Sequence, residues 1–595
     1  MTFSGNRIPF GTVDYVLLSI MLLGSMAIGL FFVFWGKGQS TQVEYLLGGR
    51  RFKALPVCLS LFASFMSAIS LIGVPTEIYT YGTMYTYTLI GLTLSNVLAM
   101  FTLVPLFYPL RLTSVYEYLN MRFKSRTVQL LGAAFGFMST LSYMTVALLS
   151  PALALETAVG IPLWLSIVLV GAVGTVYTAL GGMKSIIWTD VFQTVIIFAG
   201  IIIVIIKGSV DAGGFGKVWQ INKETGRLVF NDISLDPRVR HTVWNLSVGV
   251  TMYWLGHHFS QTSVQRLVST RSIHDANKVY LFAIPFAVAF YLVLILTGLV
   301  LVAHFYVIGC DPLAAGYVNN VNQLVPYFVI HILSFLPGLP GIYISTIFAA
   351  ALSTLSSGIN SLAANTVQDF LPWCLRHRSE AVVTTTTKIL VCFFGTISTG
   401  IAYLFRDFEG PVIQVGYSIV AATNGPLSGL FLLGGLFPQA NYAGALVGFA
   451  SSVVLSYWLA VGSSMFRYST ETLPMGPTDR CISGNGSSIA VTPGYPFTAR
   501  YNVNDSFDLT TSSTLQNIQE MDALGLAQRD FSLYDISYVL APVIGIILTV
   551  LIGLTASFIS NHLFSKTTRP EAKFLFPFCR EFWYSERDVV DTEMD

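Results

Sequence analysis

The sequence predicts an all-α polytopic membrane protein of about thirteen membrane-spanning helices, and three observations carry that reading. Hydrophobic residues make up 53% of the 595-residue chain and charged residues only 11%. Apolar runs of about 20 residues, the length a helix needs to cross a hydrocarbon core of roughly 30 Å, recur from one end to the other. Basic residues cluster in alternate short loops, as they do on the cytoplasmic side of membrane proteins. Lys and Arg total 32 against 31 Asp and Glu, a formal charge of +1, so there is neither the basic footprint of a nucleic-acid binder nor an acidic tail. The partner implied by composition is the lipid bilayer.

Taken in order, the apolar runs lie near 13–35, 54–78, 84–108, 127–155, 160–180, 186–207, 244–262, 279–305, 328–362, 384–405, 412–436, 440–462 and 535–560. The first is too long for a signal-peptide core and lacks its basic start, so it reads as a retained span. The run at 244–262 is the least apolar, holding His257, His258 and several hydroxyls. Lys37, Arg50, Arg51 and Lys53 follow the first run; Arg111, Arg122, Lys124 and Arg126 follow the third. Lys184, then Arg266, Arg271 and Lys278, then Arg376 and Arg378 continue the alternation, whereas 79–83 and 307–323 hold no Lys or Arg. The expectation is a multi-pass plasma-membrane protein with its N-terminus outside and its C-terminus in the cytoplasm. Loop 208–242 has five basic residues and four acids, but long loops translocate with little regard to charge.

In this topology only Cys310 and Cys481 of six cysteines fall in outer loops, so a disulfide is open to them, as are two free thiols. Asn485 and Asn504 each begin a glycosylation sequon in the one long outer loop. The expected organisation is an outer tail, first span and inner loop over 1–53, a five-helix unit over 54–208, an outer loop over 209–243, and a second five-helix unit over 244–436. A twelfth span at 437–462, an outer loop at 463–534 and a last span with its tail at 535–595 complete it.

Two runs are unlike lipid-facing helices. The second is interrupted at Gly73-Val74-Pro75, and the ninth is crowded with small and hydroxyl residues. Broken helices are tolerated at membrane depth only where freed backbone groups are buried in protein or line a wet cavity. Transporters often place such helices in repeats of opposite topology, and runs two to six and seven to eleven could form two such halves. Ser60, Ser64, Ser67 and Ser70 project within about 120° on one helix face. Ser353, Thr354, Ser356, Ser357 and Ser361 face them from the ninth run. Neutral hydroxyls and freed carbonyls suit a hard monovalent cation such as sodium, while close helix packing is the bland account of the same serines. Asp190 is the best-placed intramembrane acid, with an interfacial cap as its alternative role. Tyr143 and Gln261 are polar groups that could face the same cavity. No nucleophile–base pair, phosphate loop or metal-spaced cluster is visible, so an enzyme is not expected, nor an organic cofactor.

The stretches "YTALGGMKSIIWTDVFQ", "ASFMSAISLIGVPTEIYTYG", "LTSVYEYLNMRF", "GCDPL" and "LSTLSSGINSLAANTVQDF" resemble the sodium/solute symporter family, in particular its monocarboxylate, multivitamin and iodide branch. The resemblance spans roughly 13–462 and implies a LeuT-type 5+5 inverted-repeat core with sodium-driven alternating access. It implies a sodium site at the carbonyls of Ala63, Met66 and Ala350 and the hydroxyls of Ser353 and Thr354, with Asp190 and Gln193 supporting it from behind. A second cation site would match Ser67 and Tyr143. The sequence departs from the iodide transporter at Ser70, Leu89 and Leu92, and from the sugar branch at Phe65, Ile69 and Ser70, where sugar hydroxyls would lose their partners. A small organic anion with an apolar portion suits a wall of Phe65, Tyr87, Leu89 and Trp254, with Ser70 and Gln261 nearby. Monocarboxylates are the leading class and multivitamin-like carboxylates the next. An uncoupled channel is the competing class of function, and a homodimer is an open expectation.

Overall fold

The computed structural model describes residues 3–4, 10–34, 41–375, 377–405, 412–466, 472–482, 532–564 and 570–584. Its long helices are α1 (Thr12–Phe34), the bent pair α2 (Ala54–Phe65) and α3 (Ala68–Tyr81), α4 (Thr88–Leu110), α5 (Arg126–Val159) and α6 (Leu163–Asp211). A second set follows: the short pair α7 (Val243–His258) and α8 (Gln261–Val268), α9 (Ile273–Ile308), α10 (Leu324–Leu333), α11 (Leu339–Asn365), α12 (Glu380–Leu404) and α13 (Val412–Leu436). Helices α14 (Tyr442–Phe466) and α15 (Ala541–Phe564) close the bundle. With α1 set aside, each set opens on a broken helix, the arrangement expected of a 5+5 core. Among the described residues ten helices are long and apolar enough to cross a membrane, eleven with α2/α3 taken as one span. The ends of the bundle are called outer and inner below, following the loop charges.

Three boundaries differ from the sequence reading. The second span breaks at Met66–Ser67 with a 58° bend, not at Gly73–Pro75, and Pro75 lies inside α3. Runs five and six both lie in α6, whose 49 residues would extend about 74 Å if straight, more than twice a hydrocarbon core, so they remain the two spans that the sequence reading gives. Its only non-helical residue is Gly182 (φ +57°, ψ −164°), where a Cβ would lie 2.8 Å from the Tyr45 ring. Gly29 of α1 lies against both Tyr177 and Ser185, on either side of that glycine, as a chain folding back there requires. The seventh run is a half-helix of 16 residues, α7, continued after a break by α8. The ninth run divides because Pro337-Gly338-Leu339-Pro340 stops one helix and starts another: α10 is a short outer helix and α11 the span proper.

Polar pairs fix elements that apolar packing alone would leave free to slide. Asp14 on α1 accepts from the backbone N–H of Gly338 (3.0 Å) and Gly341 (2.9 Å), capping the start of α11. Glu77 on α3 is buried, bound by Arg240 at 2.7 Å and His241 at 3.2 Å, and the Arg240 guanidinium lies between the Tyr81 and Tyr538 rings. A strap over 472–482 is sewn across the outer end. Cys481 forms a disulfide with Cys310 (Cα–Cα 4.9 Å), and Asp311 accepts from the Tyr79 hydroxyl (2.5 Å) and the Gly476 N–H (2.9 Å). Leu473 N–H donates to the Thr80 carbonyl at 2.9 Å.

Candidate functional site

The site begins with the backbone that the break at Met66–Ser67 releases. The last carbonyl of α2 taken by the main chain is that of Phe62, by Met66 N–H at 2.8 Å, and α3 starts with Ser70 N–H on the Ser67 carbonyl at 3.0 Å. Between them, side chains from other helices take two carbonyls. Thr354 Oγ1 reaches Ser64 O at 3.2 Å, and the Tyr143 hydroxyl reaches Phe65 O at 3.3 Å. The carbonyls of Ala63 and Met66 receive no main-chain N–H among the described residues. Thr354 also lies 3.1 Å from the Ala350 carbonyl, one turn back on α11. Ala63, Met66, Ala350, Ser353 and Thr354 are all buried, so neutral oxygens from α2 and α11 meet away from lipid, as a weakly held alkali cation requires.

Behind them lies a charge pair. Asp190 on α6 is buried; Ser353 Oγ donates to its Oδ1 at 2.6 Å and Ser60 Oγ to its Oδ2 at 2.5 Å. Its second oxygen also faces Arg266 at 3.2 Å. This corrects the sequence reading of Arg266 as a cytoplasmic-loop residue: it sits on α8, 1% exposed. Its guanidinium donates to Ser60 (2.9 Å), Ser64 (2.8 Å) and Ser357 (2.5 Å) and to the Thr262 carbonyl (3.1 Å). The hydroxyl stripe is therefore divided. Ser60 and Ser64 hold Arg266, whereas Ser67 is buried at the break and Ser70 one turn further on. Asp190 likewise serves Arg266 as well as Ser353, so the ion candidate has no uncompensated carboxylate behind it. Gln193 points to α1, its Nε2 3.3 Å from Ser25 Oγ.

An aromatic cluster surrounds the same break. The Phe65 ring makes edge contacts with Trp254 (5.5 Å), His257 (5.8 Å) and His258 (5.8 Å), and Tyr143 meets His257 at 5.6 Å. Two expected members are elsewhere. Gln261 is not a cavity residue: its Oε1 accepts Val115 N–H (2.8 Å) and its Nε2 donates to the Thr113 carbonyl (2.7 Å), tying α8 to an inner loop. Tyr87 spends its hydroxyl on the Phe230 carbonyl at 2.7 Å at the outer edge, and Leu89 is part-buried beside it. Asn485 and Asn504 lie outside the described residues. Sequence reasoning missed Arg266 and the two histidines as site residues. The only signal for them was polarity inside runs otherwise flanked by Val264, Leu267 and Leu255.

The model of the sodium:solute symporter family matches residues 45–451, which contain both broken helices and every candidate sodium-ligating oxygen. The chain belongs to the sodium:solute symporter family. Among curated relatives, the sodium-dependent multivitamin transporter of Oryctolagus cuniculus is 36% identical over 91% of this chain and 83% of its own length. Sodium-coupled monocarboxylate transporter 2 of Homo sapiens is 37% identical over 80% of this chain and 77% of its own. Among solved structures, a Na+-coupled sialic acid symporter in a substrate-bound outward-open state superposes with a TM-score of 0.70 at 22% identity, covering 92% of this chain and 98% of that one. At that identity the match speaks for the fold. Symporters of this family couple solute movement to sodium, so Na+ is the coupling ion that membership supports.

Proposed function

We propose that this symporter imports a small organic anion with sodium, a monocarboxylate foremost, across the plasma membrane, with its N-terminus outside and its C-terminus in the cytoplasm. The observation that carries the reading is the meeting of Thr354 and Ala350 with the broken end of α2, one residue from a Phe65–Trp254 aromatic wall. Ion and solute then share one helix break, which is what coupling needs. Ala63, Met66, Ala350, Ser353 and Thr354 ligate sodium. Asp190 orients the Ser353 hydroxyl, with Gln193 a turn away. Ser67 and Tyr143 offer a second cation site, and two cations are needed if a monoanion is to be driven by voltage, since one charge across 100 mV is worth about 2.3 kcal/mol. Phe65 and Trp254, with Ser70, bound the anion, and Tyr87 and Leu89 stand at its outer approach. The chain acts as a carrier and not as an enzyme, needs no organic cofactor, and carries glycans at Asn485 and Asn504.

A multivitamin-like carboxylate is the second reading, favoured by a multivitamin transporter being as similar to this chain as a monocarboxylate transporter. The deciding experiment is sodium-dependent tracer uptake in cells expressing the protein, against lactate, nicotinate, biotin, pantothenate, iodide and glucose. Uptake that persists without external sodium would remove the symport mechanism; uptake of glucose or iodide alone would remove the organic-anion reading.

A further inference from the structure

We propose that His258 is a specificity-determining residue of this site. With Tyr280 and Trp254 it selects a carboxylate that carries its own hydrogen-bond donor, a hydroxy-carboxylate, over the same acid without one. The inference rests on the organic-anion reading above and adds the feature of the anion that the site would recognise.

Three side chains beside the break carry polar atoms with no hydrogen-bond partner among the described residues: Trp254 Nε1, the Tyr280 hydroxyl, and both ring nitrogens of His258. All three are at least nine-tenths buried, at 4%, 1% and 2% exposure. They come from two separate elements, α7 and α9. Phe65 touches Trp254 and His258, and the Tyr280 ring stands edge-on to His258 at 5.0 Å. Leaving a buried donor or acceptor unmade costs its full desolvation, and three such side chains in one place are the mark of a site that a ligand completes.

The donor and acceptor inventory narrows the ligand. Trp254 can only donate, so a carboxylate, which only accepts, fits it. The first N–H groups of α3, freed at the same break, favour the same anionic end. A neutral imidazole differs, because it always presents one N–H and one lone pair. A bare carboxylate or a halide satisfies the N–H and leaves the lone pair dry. A hydroxyl on the carbon next to the carboxylate supplies the missing proton, and Tyr280 can accept or donate beside it. A site built to bond a hydroxyl rejects the analogue lacking it, since its own buried groups are then unpaired.

The experiment measures kcat/KM for sodium-dependent uptake of lactate and of propionate, which differ by that one hydroxyl, with surface abundance measured in parallel. Wild type is expected to favour lactate by about tenfold to a hundredfold. His258→Phe should bring the ratio to within about threefold of unity, and His258→Gln, which restores a donor and an acceptor, should keep most of it. If His258→Phe does not reach the surface, Tyr280→Phe carries the test, because it removes a single oxygen and should shrink the ratio severalfold. Equal wild-type uptake of the two acids, or an unchanged ratio in the variant that reaches the surface, overturns this proposal and leaves the monocarboxylate reading standing. No sodium-dependent uptake of either acid overturns both.

Discussion

Replacing Asp190 with asparagine keeps the shape of the side chain and removes its charge, and the structure allows the consequence to be worked out. Arg266 is 1% exposed; four of its five hydrogen-bond acceptors are neutral oxygens, and Asp190 is the fifth. In Asp190→Asn the guanidinium is left as an uncompensated buried cation, which costs about 3–5 kcal/mol, on the order of a hundredfold or more in the folded-to-unfolded ratio. Removing the cation as well, in Asp190→Asn/Arg266→Met, abolishes that term. What remains is the loss of neutral hydrogen bonds, about 1–2 kcal/mol, because Ser64 and Ser357 already pair at 2.8 Å. The double variant should therefore be more stable than the single one by about 2–3 kcal/mol. The assay is the thermal midpoint of the purified protein together with surface abundance in cells. A double variant no better than Asp190→Asn, or a single variant as stable as wild type, would refute the view that the two charges exist for each other.

Thr354→Ala should raise the sodium concentration for half-maximal uptake about five- to thirtyfold, the worth of one lost oxygen contact, with normal surface abundance. Unaltered sodium dependence would take Thr354 out of the ion site. Ser67→Ala and Tyr143→Phe should each flatten the sodium dependence of uptake toward a hyperbola, while a curve of unchanged steepness in both would argue for a single coupled ion. In Cys310→Ser, a membrane-impermeant maleimide applied from outside should modify Cys481, which in wild type reacts only after reduction. Labelling of Cys481 solely in opened cells would reverse the assigned orientation.

Length and hydropathy were enough to locate most helices, because about 20 apolar residues in water have few alternatives to a bilayer. Breaks were harder. Gly73-Val74-Pro75 advertises an interruption, yet α3 runs through it, and a Cβ at Gly298 would meet the Pro75 carbonyl at 2.9 Å, so close packing by α9 holds that turn in place. The actual break at Met66–Ser67 contains neither Gly nor Pro. It is held by Thr354 and Tyr143, which take the freed carbonyls of Ser64 and Phe65 from 290 and 78 residues away. Local sequence does not carry such a partnership. Arg266 was misplaced for the same reason: a lone arginine in a short segment reads as a cytoplasmic charge until its partner, 76 residues earlier, is brought beside it. Ser353, Thr354 and Asp190 were legible because hydroxyls and acids inside apolar helices are costly and seldom idle.

The link from Cys310 to Cys481 closes a covalent circle with a sequence separation of 171 residues, and helices α10 to α14 all lie within it. Drawn out by its two ends under force, the oxidised chain would give up α1 to α9 and α15 while withholding the contour of that circle, about 600 Å at full extension, until a reductant is added. A protease nick at a position between 311 and 480 would likewise leave the two fragments migrating as one on a non-reducing gel. A nick between 483 and 531 would free α15 from the rest, leaving it held by contacts such as Ser452 Oγ on the Gly545 carbonyl at 2.7 Å.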